Sequence, residues 1–140
     1  MIVDMSAYDP DQLAISTLVG DEVIHVPPTA TLQEVATRMA DDGIGAVGVG
    51  DDDQLIGVLT ERDVVRAVAG GRAPSTPASE LAQVELVWTD PDATVAEVAE
   101  EMMGRWIRHV LVGSPGDLVG IVSIRDVLGA YMAVVGADGD

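Results

Sequence analysis

The 140-residue sequence predicts an α+β protein: two pseudo-symmetric copies of one β-α-β-β-α unit in a single chain. Three observations carry this. GVLTERDVV (residues 57–65) and GIVSIRDVL (residues 120–128) repeat one pattern, glycine, two apolar residues, a hydroxyl, any residue, Arg, Asp, at a distance of 63 residues. The repetition extends without a gap: residues 28–67 align with 91–130, and 17 of the 40 pairs are identical, among them Ala30/Ala93, Thr31/Thr94, Glu34/Glu97, Met39/Met102 and Ile44/Ile107. Strand-like and helix-like patterns also occur in the same order in both copies.

Each element has a local reason. VIHV (residues 23–26) and ELVW (residues 85–88) are short, apolar-rich and read as first strands. Thr31-x-x-Glu34 and Thr94-x-x-Glu97 are capping boxes, in which the hydroxyl and the Glu satisfy each other's free amides at a helix start. Leu32, Val35, Ala36 and Met39 then recur at helical spacing, as do Val95, Val98, Ala99 and Met102. AVGVG (residues 46–50) and HVLVG (residues 109–113) follow as strands. The turns DDDQ and SPGD reverse the chain, and LIGVL (residues 55–59) and LVGIV (residues 118–122) return as hairpin partners. A hydroxyl opens the last helix of each copy, 61–69 and 124–134. GGRAPSTPAS (residues 70–79) is the linker. Neither copy has an evident complete core, so the two are expected to pack sheet against sheet as one unit.

Composition narrows the function. With 48% hydrophobic and 22% charged residues the chain is a folded globule rather than a disordered one. There is no Phe and only two Trp and two Tyr, so aliphatic side chains must fill the core. The net charge of −17, with Arg as the only fixed cation, repels nucleic acid and disfavours anionic membranes. Absence of cysteine excludes disulfides, thiolate metal sites and Cys catalysis. MIVDMSAYDPDQ has no basic start and no long apolar run, so neither a signal peptide nor a membrane anchor is expected, and a cytoplasmic location is. Two isolated His, no H-E-x-x-H and no Walker loop leave little for catalysis, so the protein is expected not to be an enzyme. Asp51, Asp52 and Asp53 read as a solvated hairpin turn.

The repeated Thr60-x-x-Asp63 and Ser123-x-x-Asp126 admit two readings. Both are helix caps by pattern, yet Asp is shorter than the Glu of the other boxes and is expected to reach back less well. Gly57 and Gly120 sit in the preceding strands, where glycine weakens a strand and marks close approach of a ligand or of backbone. A strand ending in a helix N-terminus also offers amides to a phosphate. Arg62 and Arg125 lie in the first helical turn, against the dipole preference, which points to a phosphate contact. His25 is expected to be an ordinary strand residue.

The element order, the capping box and the ending glycine, two apolar residues, Ser or Thr, x-x-Asp resemble the cystathionine-β-synthase (CBS) domain, and two in tandem are similar to a Bateman module. IRHVLVGSPGDLVGIVSIRDVL is very close to the family pattern; IGAVGVGDDDQLIGVLTERDVV matches it in its latter half. The resemblance implies CBS repeats at 18–69 and 80–135, a linker at 70–79, an N-terminal segment at 1–17 and a disordered tail at 136–140. It implies a regulatory module whose clefts between the repeats bind an adenine nucleotide (AMP, ADP or ATP), less commonly S-adenosylmethionine or NADH, with magnesium joining ATP. By the same resemblance Asp63 and Asp126 take ribose hydroxyls, and Thr60 and Ser123 contact phosphate or ribose. Arg62 and Arg125 are added as phosphate contacts. The basic pair Arg108-His109 holds phosphates in the family, whereas the first copy has Gly45-Ala46 there, so unequal clefts are expected. Leu18-Val19-Gly20 and Leu81-Ala82-Gln83 are expected to line the adenine pockets. Many members carry Pro where Gly48 and Leu111 stand, and the glycine-rich AVGVG is expected to loosen the first cleft.

The resemblance also implies a homodimer, and Val127, Leu128, Tyr131, Met132 and Val135 give the last helix more apolar surface than one sheet needs. Ligand binding would shift conformation or dimer packing, to be read by an unidentified enzyme or transporter. The alternative is a ligand-free structural dimerisation adaptor.

Overall fold

The computed structural model describes residues 9–20, 22–51 and 53–138, with side chains as far as residue 133. In chain order the elements are β1 (His25–Val26), α1 (Leu32–Asp42), β2 (Ala46–Gly50), β3 (Leu55–Thr60), α2 (Glu61–Ala69), α3 (Ala78–Leu81), β4 (Trp88–Thr89), α4 (Val95–Arg105), β5 (His109–Ser114), β6 (Asp117–Ser123) and α5 (Ile124–Asp138). They form two three-stranded sheets, β1-β2-β3 and β4-β5-β6. In the first, β1 runs parallel to β2 (His25 opposite Gly48) and β2 pairs antiparallel with β3 (Ala46 opposite Thr60). In the second, β4 runs parallel to β5 with Trp88 opposite Leu111. The equivalences follow the 63-residue register, so the mixed α/β architecture is two copies of one unit.

The helix starts explain themselves. The Thr31 hydroxyl accepts from Glu34 N–H at 3.1 Å, and the Glu34 carboxylate accepts from Thr31 N–H at 3.4 Å. Thr94 and Glu97 repeat this at 3.1 and 3.3 Å. Two further amides of each first turn are met by a distant segment. Leu32 and Gln33 N–H donate to the carbonyls of Thr76 and Pro74, while Val95 and Ala96 N–H donate to those of Leu13 and Pro10. Every orphan donor of the first turn therefore has a partner.

The two compact units are not the two repeats taken consecutively. Among the described residues, one contains the chain up to Glu22 with Val87–Ser114 and the residues from Leu118 on; the other contains Val23–Leu86 with Pro115–Asp117. The segment that leads into each first strand packs on the sheet of the other copy. Ile15, fully buried in a 3-10 turn (Ile15–Leu18), joins Val95, Val98, Met102, Val110, Val112, Val122 and Val127 in one core. Ala78, its equivalent 63 residues on, joins Val26, Val35, Met39, Val47, Val49 and Leu59 in the other. Each copy's core thus lacks a piece until the other's lead-in supplies it. The cores are aliphatic, as the absence of Phe requires.

Some elements depart from expectation. VIHV contracts to β1 and ELVW shifts to β4, because only two residues of each meet the neighbouring strand in parallel register. The linker region 70–79 leads into the short α3, docked by Ala78 N–H to Ala30 O at 2.7 Å. α5 runs past residue 134 to Asp138, so the tail foreseen from 136 begins as helix; its last two residues lie outside the described ones. So do residues 1–8 of the N-terminal segment and the Val135 side chain. The side-chain space at Gly48 is filled, since a Cβ there would stand 2.9 Å from His25 Nδ1 and 3.0 Å from Leu55 Cδ1. No helix among the described residues is long and apolar enough to cross a membrane.

Candidate functional site: two strand-to-helix turns

Each repeated motif sits where a returning hairpin strand passes directly into a helix. In the unit holding the first motif, Glu61 N–H donates to Gly45 O at 2.9 Å, which locks the start of α2 to the start of β2. In the other, Ile124 N–H donates to Arg108 O at 2.7 Å in the same way. Arg108 is thereby fixed beside the Ser123–Asp126 turn, with its side chain exposed, and His109, partly buried, opens β5 next to it.

At both turns the Asp is a better cap than foreseen. Asp63 Oδ2 accepts from Thr60 N–H at 2.9 Å and from the Thr60 hydroxyl at 2.9 Å, while Asp63 N–H donates to that hydroxyl at 3.2 Å. Asp126 Oδ2 accepts from Ser123 N–H at 2.8 Å and from the Ser123 hydroxyl at 3.0 Å, with Asp126 N–H returning at 3.2 Å. The carboxylate contacts with the cap amide, 2.9 and 2.8 Å, are shorter than the 3.4 and 3.3 Å of the Glu boxes, so the expectation that Asp reaches back less well is corrected. One carboxylate oxygen collects two donors, and a charge-assisted pair of bonds draws the turn tight. The single proton of each hydroxyl is given to the carboxylate. In this state Thr60 and Ser123 hold the Asp in place and donate to nothing else.

The remaining Oδ1 is where the turns differ. Asp126, exposed, meets no donor at Oδ1 among the described residues. Asp63, partly buried, does: Gln83 Nε2 donates at 3.0 Å to both Oδ1 and Oδ2. Gln83 is held there by its backbone, which exchanges bonds of 2.9 and 3.0 Å with Val58. The charges differ as well. Beside the first turn the Glu61 carboxylate stands 3.1 Å from where a Gly45 side chain would begin. At the second, Ile124 replaces that Glu and Arg108 replaces that Gly. Arg62 and Arg125 are both exposed on the first turns of α2 and α5.

The glycines of the motif answer to the protein itself. A Cβ at Gly57 would lie 2.6 Å from Gln83 O and 2.9 Å from Ala82 Cβ; one at Gly120 would lie 2.4 Å from Val19 Cγ1. Each glycine lets a lead-in segment cross the hairpin strand closely. The two stretches expected at the adenine pockets are thus placed against the motif strands through Val19, Ala82 and Gln83. Gln83 and Glu61 themselves were missed as determinants, although the 63-residue register, which sets Gln83 against Gly20 and Glu61 against Ile124, marks them as unequal. At the acidic hairpin tip, Asp51 Oδ1 accepts from the amides of Asp53 and Gln54 at 3.0 and 2.7 Å, the bonding of a solvated turn. No group of three or more His, Asp or Glu among the described residues could hold a metal ion.

Comparison with known proteins gives a consistent answer. The model of the CBS domain matches residues 15–70 and 78–133. The CBS domain-containing protein YhcV of Bacillus subtilis is 36% identical over 107 residues, 76% of this chain and 76% of its own. The crystal structure of the CBS-domain containing protein ATU1752 from Agrobacterium tumefaciens superposes with a TM-score of 0.75 at 35% identity, covering 84% of this chain and 98% of that one. The CBS domain protein PAE2072 from Pyrobaculum aerophilum, complexed with AMP, superposes with a TM-score of 0.75 at 30% identity, covering 89% of this chain and 99% of that one. The repeated turn, the shared register and these likenesses agree: the chain belongs to the CBS-domain family and carries two CBS domains in tandem.

Proposed function

We propose that this protein is a regulatory module that binds an adenosine ligand of the AMP, ADP or ATP type and performs no chemistry of its own. The observation that carries the reading is the Ser123–Asp126 turn. One oxygen of Asp126 caps the helix, while the other meets no donor among the described residues and is ready to accept from ribose hydroxyls. Arg108, His109 and Arg125 stand at or beside that turn, and an anionic ligand of a chain at −17 needs such local cations to outweigh general repulsion. The AMP held by PAE2072 supports the ligand class. S-adenosylmethionine and NADH are the less favoured ligands, and magnesium would come with ATP on its own phosphates.

Occupancy would change conformation or the packing of a homodimer, which a partner enzyme or transporter reads. Val65 and Val68 on α2, and Leu128 and Met132 on α5, leave apolar side chains mostly exposed, which suits self-association. A cytoplasmic location without membrane or nucleic-acid partners fits the charge. The ligand-free adaptor is the competing reading, and the protein-filled Asp63 carboxylate favours it at the first motif alone.

The test is a thermal-shift panel with AMP, ADP, ATP, S-adenosylmethionine and NADH on the wild type and Asp126→Ala, each protein referred to its own Tm. Ligand at a hundredfold its Kd adds about 2.7 kcal/mol, which at this length is a rise of about 9 °C. The expected result is such a rise with an adenine nucleotide, removed by Asp126→Ala. A panel in which none of the compounds moves the Tm gives the adaptor reading.

A further inference from the structure

We infer that the two motifs are not equivalent binding sites: the chain takes its adenosine ligand at Asp126, and Gln83 is the residue that keeps the Asp63 motif closed. The inference rests on the ligand reading above and adds to it a stoichiometry and a determinant.

At Asp63 every carboxylate oxygen is already engaged. Oδ2 receives the Thr60 amide and hydroxyl, and Gln83 Nε2 bridges both oxygens at 3.0 Å. A carboxylate only accepts, so the amide nitrogen is the end that faces it. A ribose diol binds such an acid by donating both of its hydroxyls, and here it meets a donor already in place. The backbone fixes where the exposed Gln83 side chain starts. That backbone is clamped on Val58 by two hydrogen bonds, and Gly57 lets it lie against the strand.

At the other motif the lead-in also crosses the hairpin strand closely, with Val19 against Gly120, but it brings no side chain like that of Gln83 to the Asp. The residue 63 positions before Gln83 is Gly20, which carries no side chain. A Cβ built there would meet no atom of the described residues within 4 Å, so the space is open among them. A second, separate difference points the same way. Glu61 puts a carboxylate at the first turn, where the second has Ile124 and the adjoining Arg108. Each motif has an Arg on its first helical turn, Arg62 or Arg125, but a phosphate approaching Asp63 also meets the Glu61 carboxylate, whereas one approaching Asp126 meets the further guanidinium of Arg108. A side-chain amide and a carboxylate thus act together against the ligand at one motif, and both are absent from the other.

Isothermal titration with AMP tests this on the wild type, Gln83→Ala and Gly20→Gln. The wild type is expected to bind one AMP per chain. Gln83→Ala is expected to gain a second, weaker site, and Gly20→Gln to weaken the original site about tenfold or more, the scale of one hydrogen bond to a charged group. The open space at Gly20 leaves that variant with the wild-type Tm. A readout without ligand accompanies it: the Gln83 side-chain amide signals in a nitrogen–proton correlation spectrum shift when Asp63 is replaced by Asn. Two equal AMP sites in the wild type, or unchanged stoichiometry and affinity in both variants, overturn the inference and leave the ligand reading standing. No AMP binding in any of the three proteins overturns both.

Discussion

Gly57→Ala puts the lead-in crossing under direct load. The added methyl would lie 2.6 Å from Gln83 O, where ordinary contact begins near 3.4 Å, so the segment must retreat by most of an ångström. The obstacle is backbone and has no rotamer to change. Retreat opens the paired bonds between Val58 and Gln83, each a backbone bond of about 1 kcal/mol net. Strain in a buried strand adds about 1–3 kcal/mol. The total is about 3–5 kcal/mol, and for a chain of this length each kcal/mol moves the Tm by about 3 °C, so the midpoint of thermal unfolding followed by circular dichroism should fall by about 9–15 °C. Gly120→Ala provides the contrast. Its methyl collides at 2.4 Å with Val19 Cγ1, a side-chain atom. Combining it with Val19→Ala removes the obstacle, so a double-mutant cycle should show a favourable coupling of about 1–2 kcal/mol. A Gly57→Ala melt within about 2 °C of wild type, or strict additivity of Gly120→Ala and Val19→Ala, would refute the account of why these glycines stand in the strands.

Two further outcomes follow from positions outside the motifs. Trp106 caps α4 in the left-handed conformation at φ 57° with its side chain 92% exposed, where the first copy has Gly43 at φ 65°. Trp106→Gly relieves about 1 kcal/mol of steric cost and loses little packing, so the Tm should rise by about 3 °C. Leu128→Glu with Met132→Glu places charge on the exposed face of α5; the proposed homodimer predicts that light scattering reports a dimer for the wild type and a monomer for this variant, with the melt of the fold retained.

What was legible in the sequence was local. The Thr31 and Thr94 boxes, the helical spacing of Leu32, Val35 and Met39, and the hairpins at 46–60 and 109–123 are each decided within a few residues, and they form where the pattern puts them. The lead-ins were less legible because nothing within them decides their shape. The 3-10 turn at Ile15 and the short α3 form where carbonyls such as Leu13 O and Thr76 O meet the open amides of helices far away in sequence. The same distance hid the most informative contact of the candidate site. Thr60 and Asp63 are three residues apart and advertise each other; Gln83 reaches Asp63 from 20 residues away, through a crossing that only the folded sheet creates. The reach of Asp was misjudged because side-chain length was weighed without the second donor, the hydroxyl, that pulls the carboxylate in.

The exchanged lead-ins have a consequence for how such a chain can arise. A single ancestral unit carrying its own lead-in could not close its core alone, since the segment fits the sheet of another copy. Two identical units trading these arms would be a swapped dimer, stable only at concentrations that kept the pair together. Joining them in one polypeptide makes the trade intramolecular and replaces bulk concentration by the millimolar-scale effective concentration that a short tether supplies. Once the copies share a chain, each arm is free to diverge without altering the arm that serves its twin. Gly20 and Gln83 could then part ways only after fusion, because in a dimer of identical units every substitution in one arm is a substitution in both.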